Sequence, residues 1–356
     1  MKANKSSEKR ATIKTVAADA GVSVSAVSKV LRDAYGVSDG LRGRVNASME
    51  RLDYRPSVAA RGMRGKSYTF GVLMNDMSNM LYPEMLEGIN AMAHSKGYQA
   101  IIGISQHETS LEADLVDAMI DRQMDGIITI GPQLLPEAAK RSIPSAKLLV
   151  DAALRIPTVV VGSYDDSGVL DTVNNDDFAG AKLATEHLIE QGYRRIAFIT
   201  PDLQGLNPVS VAQRRHAGYV EAMCERGLEE NISVYASPNL NRDDLEVVRK
   251  SMRDMFSRKE RPDAIFCWSD LIAFDVLSAL LSLGYDVPND VGIVGYDDTK
   301  ACDLFQNSLS SVNQNGAELG KKAAEMLLER IEGRTTAEHF VLTPRLVARR
   351  SSKRSK

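Results

Sequence analysis

Apolar residues spaced three and four apart dominate the start of the chain. Ile13, Val16, Ala17 and Ala20 fall on one face and predict a first helix. A turn at Gly21-Val22 leads to a second helix, which Ser23 is placed to cap and in which Val27, Val30 and Leu31 form the buried stripe. That stripe turns Val24, Ser25, Ser28 and Lys29 outward together. A third helix, capped by Ser38, buries Leu41, Val45, Met49 and Leu52, although Gly40 and Gly43 lie inside it and each costs about 1 kcal/mol against alanine. Residues 54–67 then carry helix formers interrupted by Gly62 and Gly65, a segment too short to be stable as an isolated helix. It is expected to order against DNA or a second subunit, with Met63 as an apolar wedge and Arg61, Arg64 and Lys66 for phosphates. A plain linker is the alternative.

From Tyr68 the period changes to alternating strands and helices, the pattern of a parallel α/β sheet. Strands are expected at 70–74, 99–104, 126–130 and 158–161, and a second set at 196–199, 264–267 and 291–294. The helices between them carry stripes such as Met85, Ile89, Met92 and Leu111, Leu115, Met119. Two such sets predict two similar lobes with a cleft between them. Ligands of open α/β sheets lie beyond the carboxyl ends of the strands. Those ends read Asn75-Asp76 through Tyr82, Ser163-Tyr164-Asp165, a long loop reaching Arg214-Arg215, Trp268-Ser269-Asp270, and Gly295-Tyr296-Asp297-Asp298. Carboxylates, amides and a guanidinium around an indole face suit a small polyhydroxylated ligand. Each has a structural alternative: Asp270 as a helix cap, Arg215 as the partner of a surface carboxylate, Trp268 as core.

The formal charge of -3 over 356 residues conceals an uneven distribution. Residues 1–66 hold 14 Lys plus Arg against 6 Asp plus Glu, and the remainder holds 30 against 41. A basic head on an acidic body directs only the head toward phosphate. The 3 cysteines, Cys224, Cys267 and Cys302, are too far apart for a zinc motif and do not suggest a disulfide framework. No metal and no cofactor are expected. Neither a membrane span nor a signal peptide is readable, so the expected location is the cytoplasm, on the nucleoid when DNA is bound.

These motifs together resemble the LacI/GalR family of bacterial transcription regulators across residues 11–351. In the head the likeness rests on Thr12-Ile13-Lys14, Val16-Ala17, Ala20-Gly21-Val22-Ser23 and Val27-Ser28-Lys29-Val30-Leu31, and in the hinge on Tyr54-Arg55-Pro56 and Ala60-Arg61. In the core it rests on Asp76-Met77-Ser78-Asn79, Arg215-His216-Ala217-Gly218-Tyr219, Pro262-Asp263-Ala264-Ile265-Phe266, Ser269-Asp270, the run from Val287 to Asp298, and the closing run from Leu346 to Ser351. The resemblance implies that Val24, Ser25 and Lys29 read bases and that Met63 stands where the family usually has the leucine that enters the minor groove. With Thr12, Ser23, Ser28 and Arg61 they form the expected DNA-binding set. It also implies effector positions at or beside Asp76, Asn79, Tyr82, Arg215, Trp268, Asp270 and Asp297. Arg215 permits an anionic effector without establishing one. Gly62 replaces a usual serine, Gly40-Leu41 replaces a usual Glu-Thr, and Asp275 replaces a usual glycine, for which the sequence offers no role.

The organisation expected is a disordered arm at 1–10, an all-α helix-turn-helix head at 11–53, a hinge at 54–67, and a two-lobed, periplasmic-binding-protein-like α/β core at 68–351 with a short tail at 352–356. Lobe one is expected at about 68–162 plus 299–332, and lobe two at about 163–298 plus 333–351, with the strand near 340–342 returning to lobe two. The expected function is a homodimeric repressor on a near-palindromic operator, controlled by a sugar-like effector in the cleft. The alternatives are a cytoplasmic two-lobed ligand-binding protein and a regulator that answers a partner protein. A transport receptor would lack the helical head. An enzyme would need a catalytic set, and neither HExxH nor GxGxxG occurs; Gly65-Lys66-Ser67 ends like a phosphate loop but has Ala60 where its first glycine belongs.

Overall fold

Thr12 and Thr15 close a reciprocal capping box that starts α1 (Ile13–Asp19). The turn at Gly21, with φ +65, leads to α2 (Val24–Leu31), where Ser23 Oγ accepts the Ala26 N–H at 3.1 Å. Ser38 caps α3 (Asp39–Arg51). The three helices bury Val16, Ala17, Ala20, Val27, Val30, Leu31 and Val45 in one small cluster, with Ile13, Leu41, Met49 and Leu52 partly buried around it. Ser48, which the apolar spacing skipped, is also buried and donates to the Val16 carbonyl at 3.2 Å. The computed structural model describes residues 11–31, 34–54, 66–75, 77–106, 108–131, 145–164, 168–200, 210–236, 245–304 and 308–354. The arm, most of the hinge and Asp76 lie outside these.

The core begins with β1 (Thr69–Met74), α4 (Leu81–Ser95), β2 (Gln99–Ile104), α5 (Thr109–Asp121), β3 (Ile127–Ile130), α6 (Ser145–Ala153), β4 (Thr158–Val161) and β5 (Asp171–Asn175). It continues through α7 (Asp177–Glu190), β6 (Ile196–Thr200), α8 (Val211–Glu225), β7 (Ser233–Ala236), α9 (Leu245–Phe256), β8 (Ala264–Cys267), α10 (Asp270–Ser282), β9 (Gly292–Asp297) and β10 (Ser310–Asn313). The last elements are α11 (Gly316–Ile331), β11 (His339–Leu342) and β12 (Arg345–Val347). Two six-stranded sheets result, in the orders β11-β5-β4-β3-β1-β2 and β12-β10-β9-β8-β6-β7. β12 runs antiparallel to β10.

This topology moves three expected boundaries. Residues 171–175 belong to the first sheet, because β5 pairs with β4 and β11, so lobe one continues past 162. Residues 310–313 belong to the second sheet through pairing with β9. The strand expected near 340–342 to return to lobe two instead lies on the edge of the first sheet beside β5, and the return is made by β12. The chain therefore crosses between the sheets after Asn175, after Asn313 and between Leu342 and Arg345.

Glycines set the helix spacing. A Cβ on Gly88 of α4 would lie 1.9 Å from the Ala317 carbonyl oxygen, and one on Gly320 of α11 would lie 1.9 Å from that of Met85. Backbone thus meets backbone between α4 and α11, which is how a helix arriving late in the chain seats on lobe one.

Candidate functional site

The head presents one polar face. With Val27, Val30 and Leu31 buried, Val24, Ser25 and Lys29 of α2 are exposed, and Ser28 is only half-buried because it flanks the apolar stripe. Thr12 and Ser23 are exposed, and their oxygens accept helix N–H groups, leaving each hydroxyl hydrogen able to donate. A short helix with small, methyl-bearing and cationic side chains on its free face has the dimensions to enter a major groove. Arg61 and Met63 lie outside the described residues.

In the core, β5 and β10 each run into a crossing between sheets, so their carboxyl ends bring the two lobes together. Gln314 occupies the second crossing. Its buried side-chain amide donates to Asp297 Oδ1 at the end of β9, while its Oε1 accepts from Asn175 Nδ2 of β5 at 2.9 Å. Asn175 Nδ2 also donates to the Gln314 carbonyl at 3.1 Å, and the Asn175 carbonyl accepts from Tyr164 Oη at 2.7 Å. A continuous polar chain therefore joins lobe two to lobe one. Burial, with the neighbouring Asp270 charge, pushes the Asp297 carboxyl well above the usual range.

Beside this chain Arg215 of α8 is buried between rings, its guanidinium carbon 3.6 Å from the Tyr296 centroid and 4.7 Å from that of Trp268. Its Nε donates to Asp177 Oδ1 at 2.9 Å, and its Nη1 donates to the Trp268 carbonyl. Burial pushes the Asp177 carboxyl up and Arg215 opposes that shift. The ion pair persists because a neutral acid would leave the guanidinium buried and uncompensated. Next to it Arg214 stacks over Tyr164 at 4.6 Å and faces Asp176 at 3.4 Å.

Among the residues expected to hold a ligand, Asp270 is already engaged by the protein. One of its carboxylate oxygens accepts from Thr299 N, Thr299 Oγ1 and Cys302 Sγ, and the other from Ser311 Oγ. The side chain is a buried clip between α10, the turn after β9 and β10, and the helix is capped by Ser269 instead. Asn79 Oδ1 is engaged in accepting the Leu81 N–H at 2.9 Å, ahead of α4. Tyr82 is half-buried with its hydroxyl against Gly131, where a Cβ would meet it at 2.5 Å. Trp268 is half-buried and packs against both apolar clusters of lobe two, so its core role and its place at a strand end coexist. Asp76 lies outside the described residues.

The sequence did not single out Asp177, Asn175 or Gln314. An acid in a first helical turn reads as a complement to the helix dipole, and a pairing 38 residues away leaves no local sign. Among the described residues no cluster of His, Cys, Asp and Glu could hold a metal ion, and no helix is long and apolar enough to cross a membrane.

Residues 12–57 match the family described as bacterial regulatory proteins, lacI family, and residues 185–352 match the periplasmic binding protein-like domain. The chain is 30% identical to the HTH-type transcriptional repressor PurR of Vibrio parahaemolyticus, over 97% of this chain and 99% of that protein. Among solved structures it resembles the transcriptional regulator CelR in complex with cellobiose, with a TM-score of 0.68, 26% identity, and coverage of 96% of this chain and 100% of that one. In fold it also resembles the lac repressor dimer bound to operator and an anti-inducer, with a TM-score of 0.80, 23% identity, and coverage of 97% and 99%.

Proposed function

Because the chain belongs to the LacI family of bacterial regulatory proteins, we propose that it represses transcription as a homodimer whose two heads bind the halves of a near-palindromic operator. The observation that carries this reading is the free face of α2, where Val24, Ser25 and Lys29 are exposed together over a buried stripe. Lys29 and Ser25 read base edges, Val24 meets a thymine methyl, and Thr12 and Ser23 donate to phosphates. Arg61 adds a phosphate contact and Met63 a minor-groove wedge. The protein acts in the cytoplasm, on the nucleoid when bound.

The core binds a small polar effector at the facing strand ends, with Asp76, Asn79, Tyr82, Trp268 and Asp297 around it and Arg215 positioning the aromatic faces. The effector binds one angle between the lobes more tightly than another, and so shifts the population able to hold the operator. The complex of CelR with cellobiose supports a sugar as the ligand. Footprinting on genomic DNA, repeated with and without sugars that raise the melting temperature, tests the reading. Protection of a near-palindrome that changes with such a sugar is the expected result; no protected site overturns it.

A further inference from the structure

We infer that Tyr35 anchors the head to DNA, its hydroxyl donating to a backbone phosphate at the carboxyl end of α2; this rests on the reading of α2 as the helix that enters the major groove. Tyr35 is 107% exposed, as open to water as in an extended chain. Among the described residues of the head, only Val24 and Tyr35 are exposed large hydrophobic side chains. Val24 is the first residue of α2, and Tyr35 stands just beyond its last turn. Apolar exposure in the head is thus confined to the two ends of one helix. The head's other tyrosine, Tyr54, packs against the buried cluster, and Tyr35 does not.

The fold fixes where Tyr35 stands. Ala34 N–H donates to the Lys29 carbonyl at 3.1 Å, a bond that closes the end of α2 and ties the turn to the residue proposed to read bases. Gly36, with φ +85, then leads the chain to Ser38, whose Oγ accepts the Leu41 N–H at the start of α3. Tyr35 therefore occupies a short turn held at both ends. The 8 residues of α2 span about 12 Å, close to the width of the major groove. With the first turn of the helix at the bases, the turn beyond its last one stands at the groove wall, which is sugar and phosphate. From Ala34 to Leu41 there is no Lys or Arg, and the one acid, Asp39, complements the start of α3. A phosphate at this flank is therefore met by a neutral donor, and the fully exposed phenol supplies one.

The test compares full-length wild type, Tyr35→Phe, Tyr35→Ala, Tyr35→Lys and Lys29→Ala by fluorescence anisotropy over a salt series, on a labelled duplex carrying the footprinted near-palindrome and on its single-base variants. Tyr35→Phe is expected to bind roughly threefold less tightly per head, and so about tenfold for a dimer, the effect of one neutral hydrogen bond. Its preference among the single-base variants stays that of the wild type. The slope of log K against log salt is also unchanged, because a neutral donor displaces no counterion. Tyr35→Ala loses at least as much affinity. Tyr35→Lys sets a cation against the same phosphate and steepens the slope by about 0.9 per head. Full affinity in Tyr35→Phe overturns the inference, as does an unchanged slope in Tyr35→Lys or an altered base preference in Tyr35→Phe. A lower melting temperature of Tyr35→Phe, or weaker dimerisation without DNA in sedimentation, makes Tyr35 a folding or subunit contact and overturns it too. If Lys29→Ala is silent as well, the reading of the head falls; if Lys29→Ala shifts base preference while the Tyr35 variants bind as the wild type does, only the phosphate anchor falls.

Discussion

Gln314 donates its side-chain amide to Asp297 from the crossing between the two sheets, and its amide oxygen is held at the same time by Asn175. One side chain thus satisfies a buried group in each lobe. Gln314→Leu keeps the bulk and removes both bonds, leaving the Asp297 carboxyl and one Asn175 N–H short of a partner. The expected cost is about 2–3 kcal/mol, measured from the urea midpoint. The effector-induced change in operator affinity should fall by a larger factor than effector affinity itself, because the connection between lobes is what the variant lacks. Equal losses in both would make Gln314 merely structural.

Stability should carry the mark of Asp297. Burial first, then the Asp270 charge, pushes its carboxyl up to about 8, against roughly 3.9 in an unfolded chain. Between those values the folded protein binds a proton that the unfolded chain has released. The contribution of Asp297 is therefore fully present below about pH 4 and is lost as pH rises through about 8. Asp297→Asn mimics the protonated acid, so its stability relative to the wild type should climb from pH 5 to 9 by at most about 1.4 kcal/mol per pH unit. His187 and His216, whose pKa values burial lowers, contribute to both proteins and cancel in the difference, whereas Asp270, itself pushed up to about 6 by burial, loses a repelling neighbour in the variant and adds to the climb. A flat difference curve would show that Asp297 titrates like an ordinary carboxylate.

Two kinds of helical glycine should respond in opposite directions. On α4 and α11, alanine at Gly88 or Gly320 would place a methyl 1.9 Å from a backbone carbonyl oxygen, and neither helix can yield without leaving the sheet. A loss of about 3 kcal/mol or more is expected for each. Gly43 of α3 has nothing within 4 Å of its would-be Cβ, and alanine there should gain about 1 kcal/mol through helix propensity. Thermal melts of the two classes separate the effects; a stabilised Gly320→Ala would refute the close crossing.

Tyr296 offers a substitution that should cost nothing. Its hydroxyl is buried without a hydrogen-bond partner and presses against Gly180, where a Cβ would lie 2.2 Å away. Tyr296→Phe keeps the ring over Arg215 and removes the unsatisfied oxygen, so stability should be unchanged or higher by up to about 1 kcal/mol. A loss of more than that would reveal a partner for the hydroxyl.

These contrasts show what the sequence could carry. Helices α1 to α3 and strands such as Ile127–Ile130 and Ala264–Cys267 were legible, because one buried face or a continuous apolar run leaves a periodic trace. Strand Asp171–Asn175 was not, since it is fully buried yet polar: Asp171 is held by Arg334 at 2.7 Å from 163 residues away, and Asn174 and Asn175 bond to loop and crossing. Missing that strand displaced the lobe boundary. At the site, the polar strand ends were readable as a group, but whether Asp270 and Arg215 meet a ligand or a protein group was open in the sequence, because their partners, Thr299, Ser311 and Asp177, are brought in only by the fold.

Operator binding should divide the basic residues by what they touch. Lys29 is exposed on the free face of α2, so Lys29→Ala is expected to relax the preference at one half-site position by about 1–3 kcal/mol while leaving binding to unrelated DNA nearly intact. Arg61, outside the described residues, is proposed to contact phosphate, and Arg61→Ala should weaken binding to every sequence alike and lower the slope of log K against log salt by about 1. The two slopes and a panel of single-base operator variants, measured by anisotropy over a salt series, make the distinction. Lys29→Ala leaves the head's core intact, since Lys29 is exposed and lies outside the Val16, Val27, Val45 cluster that holds the head together. If Lys29→Ala lowered the salt slope and left base preference intact, α2 would lie along the phosphates instead of in the groove, and the assignment of Val24 and Ser25 as base readers would fall with it.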